Sequence, residues 1–352
     1  MIKKIMVHGT CVSVECNRRD FFKLFEHELA GFPIVNATAE IFIKVEKVDD
    51  LPQKPPEKPY YTDSFLLSKY SLKRDGTSIT FHGDSALVET TQNDKGWTIL
   101  CQYNSSFNDK WFLELVADVI YDLAYIVLVS KNYFPLHSGA LVTPKGKTVL
   151  LCGNSFKGKT TLCLAGLTAG WSILSDDMPL LKINSDKNIV EVFSFPRSLR
   201  VCKDTLDEFQ VLKGKCYSVE EFYFVSDEMT MLKRISDSLP QEVLKKMKRG
   251  QKARISLEQA FPGSLVTESV PTDIIILSRG NAYVHKEYKP HQVMNNIIAE
   301  NVMIYRFRNP SFNIYQRFCS VIQRLVKQCK LHELILGANL HENGEKLIQL
   351  FS

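Results

Sequence analysis

The chain lacks any large imbalance of charge: 44 lysines and arginines face 39 aspartates and glutamates, for a net +5. That excess is too small to mark a nucleic-acid-binding protein by itself, although a local basic surface is compatible with it. No C-x-x-C pair and no zinc-like grouping of cysteine with histidine occurs, so the nine cysteines favour free thiols in a reducing compartment. An apolar N-terminal run is missing too, since Met1 to Met6 carries two lysines, and no export is expected. Long uncharged hydrophobic runs are absent. The most apolar stretch, Trp111 to Val129, carries Glu114, Asp118 and Asp122 at four-residue spacing and reads as a soluble helix with one acidic stripe. A cytoplasmic protein with no membrane partner is expected. There is no internal repeat and no low-complexity segment.

What is present suits an ordinary globular protein. With 352 residues, 45% hydrophobic, the chain is long enough for two domains and a sizeable core. Residues 1–108 read as a smaller α+β domain. Strands Met6 to Glu15 and Ile41 to Val48 flank a helix from Asp20 to Leu29, and the proline-rich Leu51 to Tyr60 makes a stiff connector. Runs at Phe65 to Leu72, Ser78 to His82, Ala86 to Thr91 and Trp97 to Tyr103, divided by turn residues, suit an antiparallel meander. Residues 109–352 read as α/β with a mixed sheet: strands Ala140 to Thr143, Thr148 to Cys152, Trp171 to Leu174, Val190 to Phe195 and Asp273 to Leu277, with a helix from Lys159 to Leu167. A later helix carries Phe318, Val321, Ile322, Leu325 and Val326 on one stripe, with Arg317, Arg324 and Lys327 off it. Between Arg200 and Pro271 an insertion holds the basic stretch Lys233 to Arg254. It reads as a solvated helix face, or as a docking surface or lid for an acidic peptide or the nucleotide. Without interleaved aromatics it does not read as a nucleic-acid site.

The most informative segment is Gly153-Asn154-Ser155-Phe156-Lys157-Gly158-Lys159-Thr160, a full match to G-x-x-x-x-G-K-[ST]. The β-rich run Thr148 to Cys152 enters it and the helix-compatible run Thr160 to Leu167, with Thr161, leaves it. Glycines let successive N–H groups turn inward around phosphate oxygens, and the helix start adds its positive dipole end. Lys159 would reach the β- and γ-phosphates of ATP, and the Thr160 hydroxyl would ligate Mg²⁺. The plain alternative is a glycine turn before a helix.

Seventeen residues after Lys159, a short apolar strand ends in Ser175-Asp176-Asp177. If that strand lies beside the phosphate-loop strand, one carboxylate faces the γ-phosphate and its acceptor while the other faces the metal. A solvated turn before Pro179 is the alternative. His137 opens a core strand, placed either to hydrogen-bond an active-site carboxylate or to satisfy local backbone.

Taken together, Leu136 to Val142, Thr148 to Thr161 and Ser175-Asp176-Asp177 resemble the catalytic core of the HPr kinase/phosphorylase family in order and spacing. The resemblance is close over about forty residues and loose beyond them. It implies an HPr-kinase-like P-loop core, Asp176 as general base toward a substrate hydroxyl, and Lys159 and Thr160 as phosphate and magnesium contacts. It further implies Asp177 as the metal-side carboxylate, His137 as the residue orienting the base, and assembly as a homo-oligomer. The glycine-rich signature that follows the acid pair in that family is not recognisable here. Phe195-Pro196-Arg197-Ser198-Leu199-Arg200 stands in its place, similar to divergent members that phosphorylate precursor peptides such as lasso peptides. Arg197 and Arg200 are candidates for stabilising the transferring phosphate, or are surface arginines flanking a strand. The expected activity is ATP- and Mg²⁺-dependent phosphorylation of a Ser or Thr in a peptide or protein. The alternatives are a small-molecule kinase, since the loop also resembles that of phosphoenolpyruvate carboxykinases, and a non-catalytic nucleotide-binding switch.

Overall fold

The computed structural model describes residues 1–49, 78–82, 86–93, 96–103, 121, 127–225, 231–233, 247–308 and 312–351. It divides into two compact units, Met1–Ala124 with Glu220–Lys252, and Tyr125–Val219 with Ala253–Ser352. The connector at Leu51 to Tyr60, the run at Phe65 to Leu72 and most of the Trp111 to Val129 helix lie outside the described residues.

In the first unit, β1 (Ile2–Val7) and β2 (Thr10–Cys16) form a hairpin, followed by helix α1 (Arg19–Glu28), β3 (Ile41–Lys47), β4 (Ser78–His82), β5 (Ala86–Asn93) and β6 (Gly96–Tyr103). The expected single strand at Met6 to Glu15 is therefore two, because His8 and Gly9 both take positive φ (44° and 77°) and fold a tight turn. The sheet order is β1-β2-β3-β6-β5-β4. Only part of it is the expected antiparallel meander: β3 runs parallel to both β2 and β6. The helix between β2 and β3 explains this, since a crossover through a helix returns the chain in the same direction.

The second unit carries β7 (Phe134–Pro135), β8 (Ser138–Val142), β9 (Thr148–Cys152), α2 (Lys159–Thr168), β10 (Ser172–Ser175), β11 (Leu180–Asn184), β12 (Ile189–Phe193), β13 (Leu199–Cys202) and α3 (Lys203–Glu208). The chain leaves the unit within β14 (Cys216–Val225), forms β15 (Met231–Lys233), and returns within β16 (Met247–Ile255). It finishes with α4 (Leu257–Ala260), β17 (Glu268–Ser269), β18 (Asp273–Arg279), β19 (Val284–Glu287), α5 (Pro290–Arg308), α6 (Phe312–Gln328), β20 (Lys330–Leu336) and α7 (Leu340–Phe351). The described end of the basic stretch is thus strand rather than the expected helix, and Arg254 on it is buried.

The central sheet runs β10-β8-β9-β18-β20-β19, with β9, β18 and β20 parallel and β10, β8 and β19 in antiparallel pairs. β9 and β18 carry the apolar runs Val149–Cys152 and Ile274–Leu277 because both faces of the sheet are covered there. Val149, Leu151, Ile275 and Leu277 pack with α2 and α7, while Leu150, Cys152, Ile274 and Ile276 pack with α5 and α6. The stripe predicted on α6 is buried against the second of these faces. β12, expected in the core sheet, instead joins a separate small sheet in the order β17-β12-β11-β7. One irregularity matters below: β10 carries a bulge between Ile173 and Ser175 in its pairing with β8.

At the end of the sheet where β18 begins, His332 Nε2 donates to Asp273 Oδ1 at 3.0 Å, and Thr272 donates to Oδ2 at 2.7 Å. Burial pushes the Asp273 carboxyl up, but these two hydrogen bonds and the charge of His332 outweigh it and hold it below the ordinary value. A depressed carboxyl contributes stability above its unfolded value, about pH 4, and loses that contribution as pH falls through its folded value. Asp273→Asn is expected to destabilise the protein at neutral pH by roughly 1–3 kcal/mol and to flatten the acid limb of stability, checked by thermal melts from pH 3 to 7.

Candidate active site

The phosphate-loop sequence folds as its pattern predicts, as a strand, a glycine loop and a helix. Gly153 leaves β9 against β18, where a Cβ would lie 3.1 Å from Leu277 Cβ and 3.2 Å from its carbonyl oxygen. Phe156 and Gly158 take left-handed backbone (φ 64° and 97°), and a Cβ on Gly158 would meet Leu336 at 2.8 Å. These constraints fix where the loop turns before α2 begins at Lys159. Asn154 and Ser155 are exposed, Lys157 and Thr160 half-buried. Thr161 is buried, with its hydroxyl 3.4 Å from that of Thr205 on α3.

Lys159 is the centre of the site. Its side chain is buried, yet Nζ donates to the carbonyls of Gly153 (2.6 Å) and Asn154 (3.2 Å) and lies 3.1 Å from His137 Nε2. Burial lowers its pKa, and the charges of Asp177, Glu300 and Asp176 oppose that shift.

Register explains how His137 arrives there. β8 is antiparallel to β9 and pairs Ser138 with Cys152, so the residue before Ser138 meets the residue after Cys152. The acid pair follows β10, on the other side of β8, where the Ser138 N–H donates to the Asp177 carbonyl at 2.9 Å. The expectation that the acid-bearing strand neighbours the phosphate-loop strand is therefore corrected: β8 lies between them. The chemistry still converges, because β8 runs opposite to β9 and its start shares an edge with the ends of β9 and β10.

The imidazole meets Asp177 rather than Asp176: His137 Nε2 lies 3.3 Å from Asp177 Oδ1. Asp177 is part-exposed; burial pushes its carboxyl up, but the hydrogen bond and charge of His137, with Lys159 and Arg197, hold it well below the ordinary value. Asp176 is almost fully buried. Desolvation and the neighbouring Asp177 charge raise it to about 7, moderated by Arg197 and Arg200. Two adjacent carboxylates are thus driven apart, one fixed as an anion and one poised to exchange a proton near neutrality. Arg197 and Arg200 stand near enough for their charge to act on Asp176.

Three residues that sequence reasoning missed complete the site. Asn301 on α5 accepts the His137 backbone N–H at 2.7 Å, and Glu300 beside it lies near the backbone N–H of Asn154. Arg279, at the end of β18, donates from Nε to the Phe156 carbonyl at 3.4 Å and from Nη1 to the Gly337 carbonyl at 3.3 Å. One signal existed in the sequence: Asn301 continues the buried stripe Val293–Ile297 at four-residue spacing, and a polar residue on such a stripe needs a partner.

For a metal, the described residues contain no group of three or more His, Cys, Asp or Glu able to hold an ion. Mg²⁺ takes one or two protein ligands together with substrate phosphates and water. Thr160 at the helix start and the ionised Asp177 are residues of the right type.

No family model matches the chain. A segment of 135 residues, 37% of this chain, is 28% identical to the dynein heavy chain-like protein 2 of Plasmodium falciparum (isolate 3D7) and spans 2% of that protein. Among solved structures, the HPr(Ser) kinase/phosphatase from Coxiella burnetii aligns over 62% of this chain and 95% of its own, at 13% identity and a TM-score of 0.27. Neither likeness carries a function to this chain. Among the described residues no helix is long and apolar enough to cross a membrane.

Replacing His137 by Ala removes the leading hydrogen bond and a charge from Asp177. Its carboxyl is expected to titrate at higher pH than in wild type, read from the side-chain carboxyl ¹³C shift across a pH series.

Proposed function

We propose that the chain is an ATP-dependent, HPr-kinase-like phosphotransferase that moves the γ-phosphoryl group to a Ser or Thr hydroxyl of a peptide or protein. The observation that carries this reading is the buried carboxylate of Asp176, raised to about 7, close enough to the phosphate-loop Lys159 for their charges to interact. A general base works best when its pKa lies near the working pH, and phosphoryl transfer needs little else from the protein than positioning and charge.

In this reading the N–H groups of Gly153 to Thr160 and the ammonium of Lys159 hold the phosphates. Asp176 accepts the proton of the acceptor hydroxyl as its oxygen attacks. Arg197 and Arg200 face the charge that develops on the transferring group, a task that suits guanidinium geometry. Asp177 stays ionised and is held by His137, so His137 acts on the carboxylate next to the base rather than on the base. Mg²⁺, when bound by Thr160 and Asp177, would neutralise charge between the phosphates.

The test is transfer of label from γ-³²P-ATP with Mg²⁺ to a panel of Ser/Thr peptides and metabolites. Asp176→Asn is expected to lose about 10²–10⁴-fold in transfer while still binding nucleotide, and Lys159→Ala to lose binding. Since the base must be ionised, wild-type kcat/KM for the acceptor at saturating nucleotide should rise with pH and level off above about 7. Full transfer by Asp176→Asn would remove Asp176 as the base. Label on a metabolite rather than a peptide would favour a small-molecule kinase, and binding without transfer a nucleotide-gated switch.

A further inference from the structure

Glu300 stands at the mouth of the phosphate loop with a charge of the wrong sign for a phosphate site. It sits on α5 beside Asn301, which is buried and tied at both ends, accepting the His137 N–H and donating to the Ile297 carbonyl at 2.8 Å. The helix is thereby pinned to the start of β8, and the Glu300 side chain is directed at the loop. The carboxylate lies near the backbone N–H of Asn154, which favours its ionised form. Its oxygen Oε2 is buried and makes no hydrogen bond among the described residues. The titratable groups facing it are His137 before β8, Lys157 in the loop, Lys159 on α2 and the Cys152 thiol at the end of β9. Burial raises the Glu300 carboxyl even against those cations.

The inward-turned N–H groups of such a loop are the donors that phosphate oxygens use. An ionised carboxylate near the Asn154 N–H competes with a phosphate oxygen for that donor and repels it. A neutral carboxylic acid does the reverse, because its O–H donates a hydrogen bond to a phosphate oxygen. We propose that Glu300 lines the phosphate-binding site, and that nucleotide phosphates are bound together with one proton taken from solvent onto its carboxylate. The inference rests on the loop's binding a nucleotide, as proposed above.

Isothermal titration of the full chain with MgADP and with a non-hydrolysable MgATP analogue, in buffers of different ionisation enthalpy, reads the proton count directly. Wild type should take up protons on binding, and its affinity should fall by up to about tenfold per pH unit above the Glu300 pKa. Glu300→Gln keeps the shape and removes the charge. It should lose that part of the uptake, flatten the corresponding part of the pH dependence, and bind more tightly than wild type at high pH. Glu300→Met, with thermal melts alongside, guards against a folding defect in the first variant and should behave in the same way. Unchanged proton uptake and pH slope in folded Glu300→Gln or Glu300→Met would overturn the proposal and leave the nucleotide reading intact. Absence of nucleotide binding by wild type itself would overturn both.

Discussion

A buried ammonium organises this protein. Lys159 lies beneath the phosphate loop with little access to water, and a charge so placed is tolerable only when hydrogen-bonded and balanced. The loop supplies two carbonyls, while the balancing negative charge comes from Asp177, Glu300 and Asp176. These groups are far apart in sequence. Each is delivered by a different piece of the central unit: the end of β9, the turn after β10, and α5. The sheet order and the pinning of α5 can be understood as the scaffold that this one charge requires.

Gathering acids around a cation sets them against one another. Asp176 and Asp177 are consecutive, and two adjacent carboxylates, one of them buried, cannot both ionise at equal ease. His137 resolves the contest by stabilising the anion on Asp177, which leaves Asp176 as the group whose proton moves near neutrality. Arg197 and Arg200 temper this shift. A division of labour between two identical side chains follows from their surroundings.

Much of this was legible in the residues. The phosphate loop, its strand and helix, the acid pair and His137 follow local rules of spacing and glycine placement, and local rules are what a sequence displays. Legibility failed where a partner is distant. That β8 separates β9 from β10, that β12 belongs to a second sheet, and that β3 runs parallel to its neighbours are facts of pairing, which apolar strands do not encode individually. Glu300 and Arg279 sit in no motif, because their role comes from where α5 and β18 end up. The hairpin at His8-Gly9 escaped because a histidine with positive φ is an uncommon turn residue.

The bulge in β10 has a larger reach than its size suggests. Ile173 pairs with Leu141 and Ser175 with Ala140, so Leu174 is a residue without a counterpart on β8. Successive side chains on a strand point to opposite faces, and one additional residue reverses that alternation for everything after it. Asp176 and Asp177 enter their turn just beyond this point. Regular pairing of the same residues would instead set Leu174 opposite Ala140 and move every residue after it one place along β8. Where the acid pair meets the start of β8 is thus a matter of counting, decided by a single residue in the strand that leads to it.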